Sequence, residues 1–276
     1  MPRGPAKPNY AIKGKWLRAS GILARMQIKD WQLPNGVQAI CTTRLGGVSL
    51  PPYDSLNLGD HVLDEPQHVA HNRNLLKQQI HGARPVFLKQ VHGVDVLHLK
   101  TSTTDGAIAD ACSTQESNLA CTIMVADCLP ILLTDSKGTT VAAAHAGWRG
   151  LAHGVVENTV KTLCGQSGAL PRELLVWLGP CIGPRAFEVG AEVRQAFLKA
   201  DETSESCFKE HPHNPNKYLA DLPALARNRL RSLGVQSVDG NDGSDAWCTV
   251  QQASRFFSFR RDGVTGRFAA CIWRTA

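Results

Sequence analysis

The chain has 276 residues, of which 43% are hydrophobic, and carries a formal net charge of +6. That length suits one α/β domain or two small ones. A membrane protein is excluded: the longest apolar stretch, residues 121–133, is interrupted by Asp127 and Pro130, well short of the ~20 residues needed to cross a bilayer. The positive charge is local, because residues 1–26 hold Arg3, Lys7, Lys13, Lys15, Arg18 and Arg25 and no acid, which leaves 24 basic against 24 acidic residues elsewhere. A neutral body argues against a nucleic-acid-binding surface.

In chain order, residues 1–25 read as a basic extension expected to be disordered. The alternative is an organelle transit peptide, although Ser20 is the only serine in it. A single catalytic domain is expected over residues 26–276. Val37–Thr43 reads as a strand ending in the turn-like Arg44-Leu-Gly-Gly47. Asp64 and Pro66 start a helix that Val69, Leu75, Leu76 and Ile80 carry to about residue 80. Strands are expected at Pro85–Lys89 and Val94–Leu99, flanking the turn Gln90-Val-His92-Gly93. Buried strands are expected at Cys121–Ala126 and Ile131–Thr134, with Asp127-Cys128-Leu129-Pro130 between them. Val141–Ala144 is another strand, running into His145-Ala-Gly-Trp-Arg-Gly150 and then a helix over 151–164. Leu174–Leu178 reads as a strand and Glu192–Ala200 as a helix. Asp221 caps a further helix, with Pro223 in its first turn and Gly234 just past its end. Phe256–Arg260 and Arg267–Trp273 read as a final hairpin around Asp262-Gly263. The fold class is α/β (α+β), a single layered domain of central β-sheets flanked by helices.

Nine cysteines, an odd number, occur without a CxxC pair or a secretory signal. They read as buried small apolar residues in a reducing compartment, the cytoplasm.

His92, Cys128 and His145 each fall at a strand end or in the turn after one, where active groups concentrate. One thiolate and two imidazoles suit zinc, with a fourth position open to water or substrate. The spacings of 36 and 17 residues match no compact zinc-finger pattern. The residues alone therefore leave a second reading open, in which His92 caps a turn, Cys128 fills space and His145 is a hydrogen-bonded core histidine. Gly147, Gly150 and Arg149 at the following helix start suggest an anion site, or merely tight packing and a surface ion pair. Arg44, beside Gly46 and Gly47, is a weaker phosphate or substrate candidate. Asp105, Asp110, Glu188 and Arg260 lie in motif-like stretches and receive no role.

The segments QVHG (90–93), ADCLP (126–130), AAAHAGWRG (142–150), LGPCIGPRAFEVG (178–190), KYLADL (217–222) and FFSFRRD (256–262) closely resemble the YfiH-like, laccase-domain family. TTRLGGVSLPPYDSLNLG (42–59) matches its N-terminal signature. The resemblance implies a single α/β domain whose metal-binding and catalytic residues are His92, Cys128 and His145. It also implies purine nucleoside phosphorylase, methylthioadenosine phosphorylase and adenosine deaminase activities. Older descriptions of the family name a copper-dependent polyphenol oxidase or multicopper laccase, and bacterial members are linked to peptidoglycan quality control. Cys181 stands where some relatives have alanine, so no catalytic role is carried onto it.

Three chemistries compete. A multicopper oxidase needs roughly eight further histidines in paired motifs, and only His211-Pro-His213 has that form, so the oxidase is disfavoured. A metal-free cysteine hydrolase would pair Cys128 with one histidine; the second histidine favours a metal, and a peptidoglycan-precursor editing role rests on the family link alone. Nucleoside chemistry is preferred, with adenosine, inosine or methylthioadenosine and phosphate as small-molecule partners and zinc as cofactor. Deamination needs an activated water at C6 of adenine, for which Asp127 is a candidate proton shuttle. Phosphorolysis needs cations for phosphate, for which Arg149 and Arg44 are candidates.

Overall fold

A computed structural model describes residues 25, 26, 28 and 31–276. The extension expected over residues 1–25 lies, apart from Arg25, outside the described residues. The first half of the chain forms β1 (Arg25–Met26), β2 (Val37–Thr42), α1 (Pro66–Gln79), β3 (Arg84–Phe87), β4 (Val96–His98), β5 (Ala111–Thr114) and β6 (Leu119–Val125). Next come β7 (Leu129–Asp135), β8 (Val141–Ala146), α2 (Trp148–His153), α3 (Val155–Ser167), β9 (Leu174–Leu178), β10 (Glu188–Gly190) and α4 (Ala191–Leu198). The last stretch forms β11 (Phe208–Glu210), β12 (Lys217–Ala220), α5 (Leu222–Ser232), β13 (Ser237–Gly240), α6 (Phe259–Asp262) and β14 (Phe268–Arg274). Among these described residues no helix is long and apolar enough to cross a membrane.

Two large sheets stack face to face. One has the order β1-β2-β14-β6-β3 and the other β13-β9-β7-β8-β5-β4, with β10-β12-β11 as a small third sheet. Every residue of β6, β7 and β8 is buried, so these strands read as continuous apolar runs, as strands covered on both faces do. Their alternation still sorts side chains by layer. Cys121, Ile123 and Val125 of β6 meet Leu132, Val141, Ala143 and Trp177 in the core between the sheets. Ala120 and Met124 face Leu76 and Ile80 on the α1 side. Ala142, Ala144 and Ala146 of β8 face Val156, Val160, Leu225 and Phe197 of the helices on the other side. The architecture is therefore four layers, helix, sheet, sheet and helices.

Local chemistry explains most element ends. Asp221 caps α5 by accepting from the Ala224 N–H, as its sequence position suggests. The helix expected over 151–164 is two helices, because Gly154 at φ +103 ends α2 and starts α3. The expected hairpin around Asp262-Gly263 is absent. Ser258 instead accepts from the Arg261 N–H and caps the short helix α6, and β14 pairs with β2 and β6. The polar Ser258 side chain offers the backbone a helix start, which outweighs the apolar pattern of residues 256–260. Strands β5 and β10 to β12 carry no clear sequence signal and are fixed by their neighbours. All nine cysteines are free, with Cys128 and Cys164 half-buried and the rest buried.

One buried amide organises the long loop after β2. Asn72 on α1 accepts from the Val48 N–H at 3.0 Å and donates to Ser49 Oγ, the Ser55 carbonyl and the Asn57 carbonyl. Removing it leaves several buried groups without partners. Asn72→Ala is expected to lower stability by about 2–4 kcal/mol, read as a shift of the urea midpoint at unchanged slope.

Candidate metal centre

The turn that carries His92 is tied down at both ends. The Gln90 side chain behaves like a strand peptide, donating from Nε2 to the Met124 carbonyl at 2.8 Å and accepting from the Met124 N–H at 2.9 Å. His92 takes the left-handed conformation, φ +62. With it, three successive backbone N–H groups, of Val91, His92 and Gly93, converge on the Asp110 carboxylate at 3.1, 2.8 and 2.6 Å. This is a backbone nest filled by an internal anion.

Cys128 sits where the chain leaves β6 in one sheet and enters β7 in the other. The crossing needs a sharp bend, supplied by Asp127 at φ +98, a conformation Asp tolerates better than most residues. The Asp127 carboxylate accepts from Thr249 Oγ1 at 2.5 Å and from the Arg260 N–H at 2.6 Å, and its carbonyl from the Ile182 N–H at 2.9 Å. His145 lies near the end of β8 on the same face as Val141 and Ala143, which points it into the space between the sheets. Its Nδ1 is 2.8 Å from Asp110 Oδ1, and its backbone N–H donates to the Asp110 carbonyl at 2.7 Å. Gly147 closes the back of the site. A Cβ there would stand 2.7 Å from His92 Cδ2 and 3.0 Å from Cys128 Sγ.

His92, Cys128 and His145 thus each offer one donor atom, all within 4.8 Å of one another. Cys128 Sγ is 3.7 Å from His92 Nε2, and the two imidazoles meet edge to face with centroids 4.8 Å apart. His145 is buried, Cys128 half-buried and His92 exposed, so the cluster opens on the His92 side. Burial pushes the Cys128 thiol up, but the charge of His145 and hydrogen bonds from both histidines outweigh it and lower its pKa to about 6. Burial likewise disfavours the charged His145, yet the Cys128 thiolate and Asp110 carboxylate outweigh it and raise its pKa to about 9. Asp110 is held below the usual carboxylate range: its burial is outweighed by hydrogen bonds from His145 and from the Gly93 and Val91 N–H groups. With the Nδ1 proton directed at Asp110, the Nε2 lone pair of neutral His145 faces the cluster.

The remaining candidates lie elsewhere or are already engaged. Arg44 donates from Nε to the Asp54 carbonyl, from one terminal nitrogen to Ala253 and from the other to Asp54 Oδ1, and lies over the Phe257 ring. Its fork holds the 44–55 loop. Arg149 is exposed over the Trp148 ring at 4.4 Å, on a helix of only six residues, which is too short for the strong helix-terminus field expected from sequence. Asp127 is a turn anchor beside the cluster. Of the four residues that sequence analysis left without a role, Asp110 is the one bonded to the cluster. Its signal was a carboxylate in the apolar run Ala109-Asp110-Ala111-Cys112, since Asp is almost never fully buried unless partnered.

A family described as multi-copper polyphenol oxidoreductase laccase matches residues 38–275. The chain is 48% identical to the purine nucleoside phosphorylase YfiH of Escherichia coli (strain K12), covering 91% of this chain and 99% of the relative. It is 51% identical to a purine nucleoside phosphorylase of Pseudomonas aeruginosa, over 88% of this chain and 96% of the relative. Among solved structures, a Neisseria meningitidis protein of the DUF152 family superposes with a TM-score of 0.83 at 44% identity, covering 90% of this chain and 98% of that one. YlmD from Geobacillus stearothermophilus gives a TM-score of 0.79 at 30% identity, covering 92% and 100%. With matches that span nearly the whole chain in both sequence and fold, the protein belongs to the multi-copper polyphenol oxidoreductase laccase family, alongside YfiH.

Proposed function

We propose that the protein is a zinc-dependent purine nucleoside phosphorylase acting on adenosine, inosine and methylthioadenosine, with adenosine deaminase activity at the same centre. The observation that carries this reading is the convergence of His92, Cys128 and His145 on one point beside an open surface. Relatives named purine nucleoside phosphorylase, alike over about nine-tenths of the chain, supply the substrate class.

The donor set fits zinc. Ligands on one tetrahedral zinc lie roughly 3.3–3.7 Å apart, given Zn–S and Zn–N lengths of about 2.3 and 2.0–2.1 Å. The Cys128–His92 separation of 3.7 Å is already in that range, and Cys128 is a thiolate at neutral pH. A metal held here supplies Lewis acidity toward an oxygen of water, ribose or phosphate. The chain's own residues do the rest. Asp110 fixes the orientation of His145 and the backbone of His92. Gly147 leaves room where any side chain would displace the donors. Asp127, hydrogen-bonded and adjacent to Cys128, is the candidate to carry the proton in deamination. In phosphorolysis a phosphate oxygen attacks C1′, the bond to the purine nitrogen breaks, and the electron pair leaves with the base. Phe259, 58% exposed, precedes Arg260, whose N–H holds Asp127. In this reading its exposed ring is the candidate aromatic face for the purine.

The family description favours copper and oxidase chemistry as the second reading, and metal analysis separates it from the first. Purified protein is expected to carry one zinc per chain, and to form ribose 1-phosphate from inosine only when phosphate is present. Ammonia release from adenosine without phosphate reports the deaminase. Cys128→Ala is expected to abolish zinc binding and both activities, and full inosine turnover by the metal-free variant would discard the scheme. Asp110→Asn keeps the shape but weakens the hold on His145, so zinc affinity is expected to fall about 10–100-fold, measured by competition with a chromogenic chelator.

The lowered thiol has a signature of its own. In metal-stripped protein, alkylation of Cys128 by iodoacetamide should persist from pH 8 down to about 6 and fall below that, since the thiolate is the reactive form. An ordinary thiol loses reactivity below about 8.5. Site-resolved mass spectrometry checks it, and bound zinc should block the reaction.

A further inference from the structure

Both arginines that the sequence offered for phosphate are poor fits, since Arg44 is engaged and Arg149 stands on a six-residue helix. The sheet register brings another to the same edge. Strand β14 pairs Phe268 with Val125 of β6 and Ala270 with Cys41 of β2. Continued by one pair, the β14–β6 register sets Arg267 opposite Ala126, two residues before Cys128. Its backbone is pinned: the N–H donates to Asn57 Oδ1 at 2.9 Å and the carbonyl accepts from the Leu58 N–H at 3.0 Å. The side-chain stem lies tight over Gly59, where a Cβ would stand 2.8 Å from Arg267 Cγ.

The guanidinium at the end of this fixed stem is half-buried and, among the described residues, makes no ion pair. One terminal nitrogen donates to the Thr265 and Gly266 carbonyls at 3.0 and 3.1 Å. Nε and the other terminal nitrogen have no hydrogen-bond partner among the described residues, and they form the edge of the fork that meets an oxyanion side-on. Burial disfavours the cation, and the charges of Cys128 and Asp127 partly offset that. Asp127 is already satisfied by Thr249 and the Arg260 N–H. A partly desolvated cation without a carboxylate partner is costly in the absence of an external anion.

We propose that Arg267 is the residue that binds the phosphate co-substrate beside the metal centre, its free N–H edge gripping two oxygens while the third faces the ribose. The inference deepens the phosphorylase reading and rests on it for the identity of the anion. It assigns the phosphate subsite to the start of β14, away from the helix α2 that follows His145.

The test is titration of inorganic phosphate into the zinc-loaded full-length protein by calorimetry, repeated with Arg267→Gln and Arg267→Lys, with zinc content and melting temperature measured alongside. The expected result is phosphate binding by the wild type, weakened at least tenfold in Arg267→Gln and less in Arg267→Lys, at unchanged zinc content. In turnover, KM for phosphate should rise at least tenfold while KM for inosine stays within about twofold, a split that loss of a structural contact alone would not produce. Phosphate affinity equal in all three proteins, no phosphate binding by the wild type, or weakening matched by zinc loss in both variants would overturn the proposal. Phosphate binding that depends on Arg267 without phosphorolysis would leave this subsite standing and remove the phosphorylase reading instead.

Discussion

The Asp110 carboxylate is the point on which the site depends. It is fully buried, and every hydrogen bond it accepts comes from a group that must be placed: three backbone N–H groups of the His92 turn and the Nδ1 of His145. Its carbonyl takes a fifth, from the His145 backbone. A buried charge is tolerated only when paired and fully hydrogen-bonded, so this carboxylate forces the two histidines together before any metal arrives. The left-handed conformation of His92 is the cost of aiming three consecutive N–H groups at one acceptor, and the nest offsets it.

The second constraint is the boundary between the two sheets. β6 and β7 are consecutive in the chain yet belong to different sheets, so the residues between them cross the inter-sheet core at its edge. Cys128 lies on that crossing, and the period-two alternation of β8 sends His145 to the same gap. The gap is apolar behind the site, lined by Val125, Leu132 and Ala143, and open in front, where His92 is exposed. A low-dielectric wall on one side strengthens every charge interaction in the cluster. That accounts for a thiol lowered and an imidazole raised by their mutual attraction despite burial, which opposes both.

The family description names copper, while the relatives in it are named for purine nucleosides. The geometry bears on this contrast through the donor set. One cysteine and two histidines turn their donor atoms to one point, a set sized for a single ion, and the acids close to it serve as internal acceptors. Asp110 orients His145 and Asp127 holds the bend before Cys128. The arginines divide in the same way, with Arg44 bracing a loop and Arg267 keeping, among the described residues, an edge of its fork without a partner.

Much of this was legible in the sequence. Continuous apolar runs marked β6 and β7, small residues before a histidine marked β8, and Asp221 with Pro223 marked the start of α5, because burial and capping are written in local residue types. His92, Cys128 and His145 were legible as residue types that suit a metal. Their meeting was not, since donors 36 and 17 residues apart are joined only by the crossing between sheets. The role of Asp110 was equally hidden, because three of its partners are backbone N–H groups that carry no side-chain signature. The hairpin expected at Asp262-Gly263 gave way to a capped turn for the same reason: β14 finds better partners in β2 and β6, strands distant in the chain. The sequence by itself determined the long buried strands, the capped helix starts and which side chains have metal-binding chemistry, because propensity and chemistry are local. Only the tertiary structure decided which of them face one another, because register and layer order are settled by burial across the whole chain.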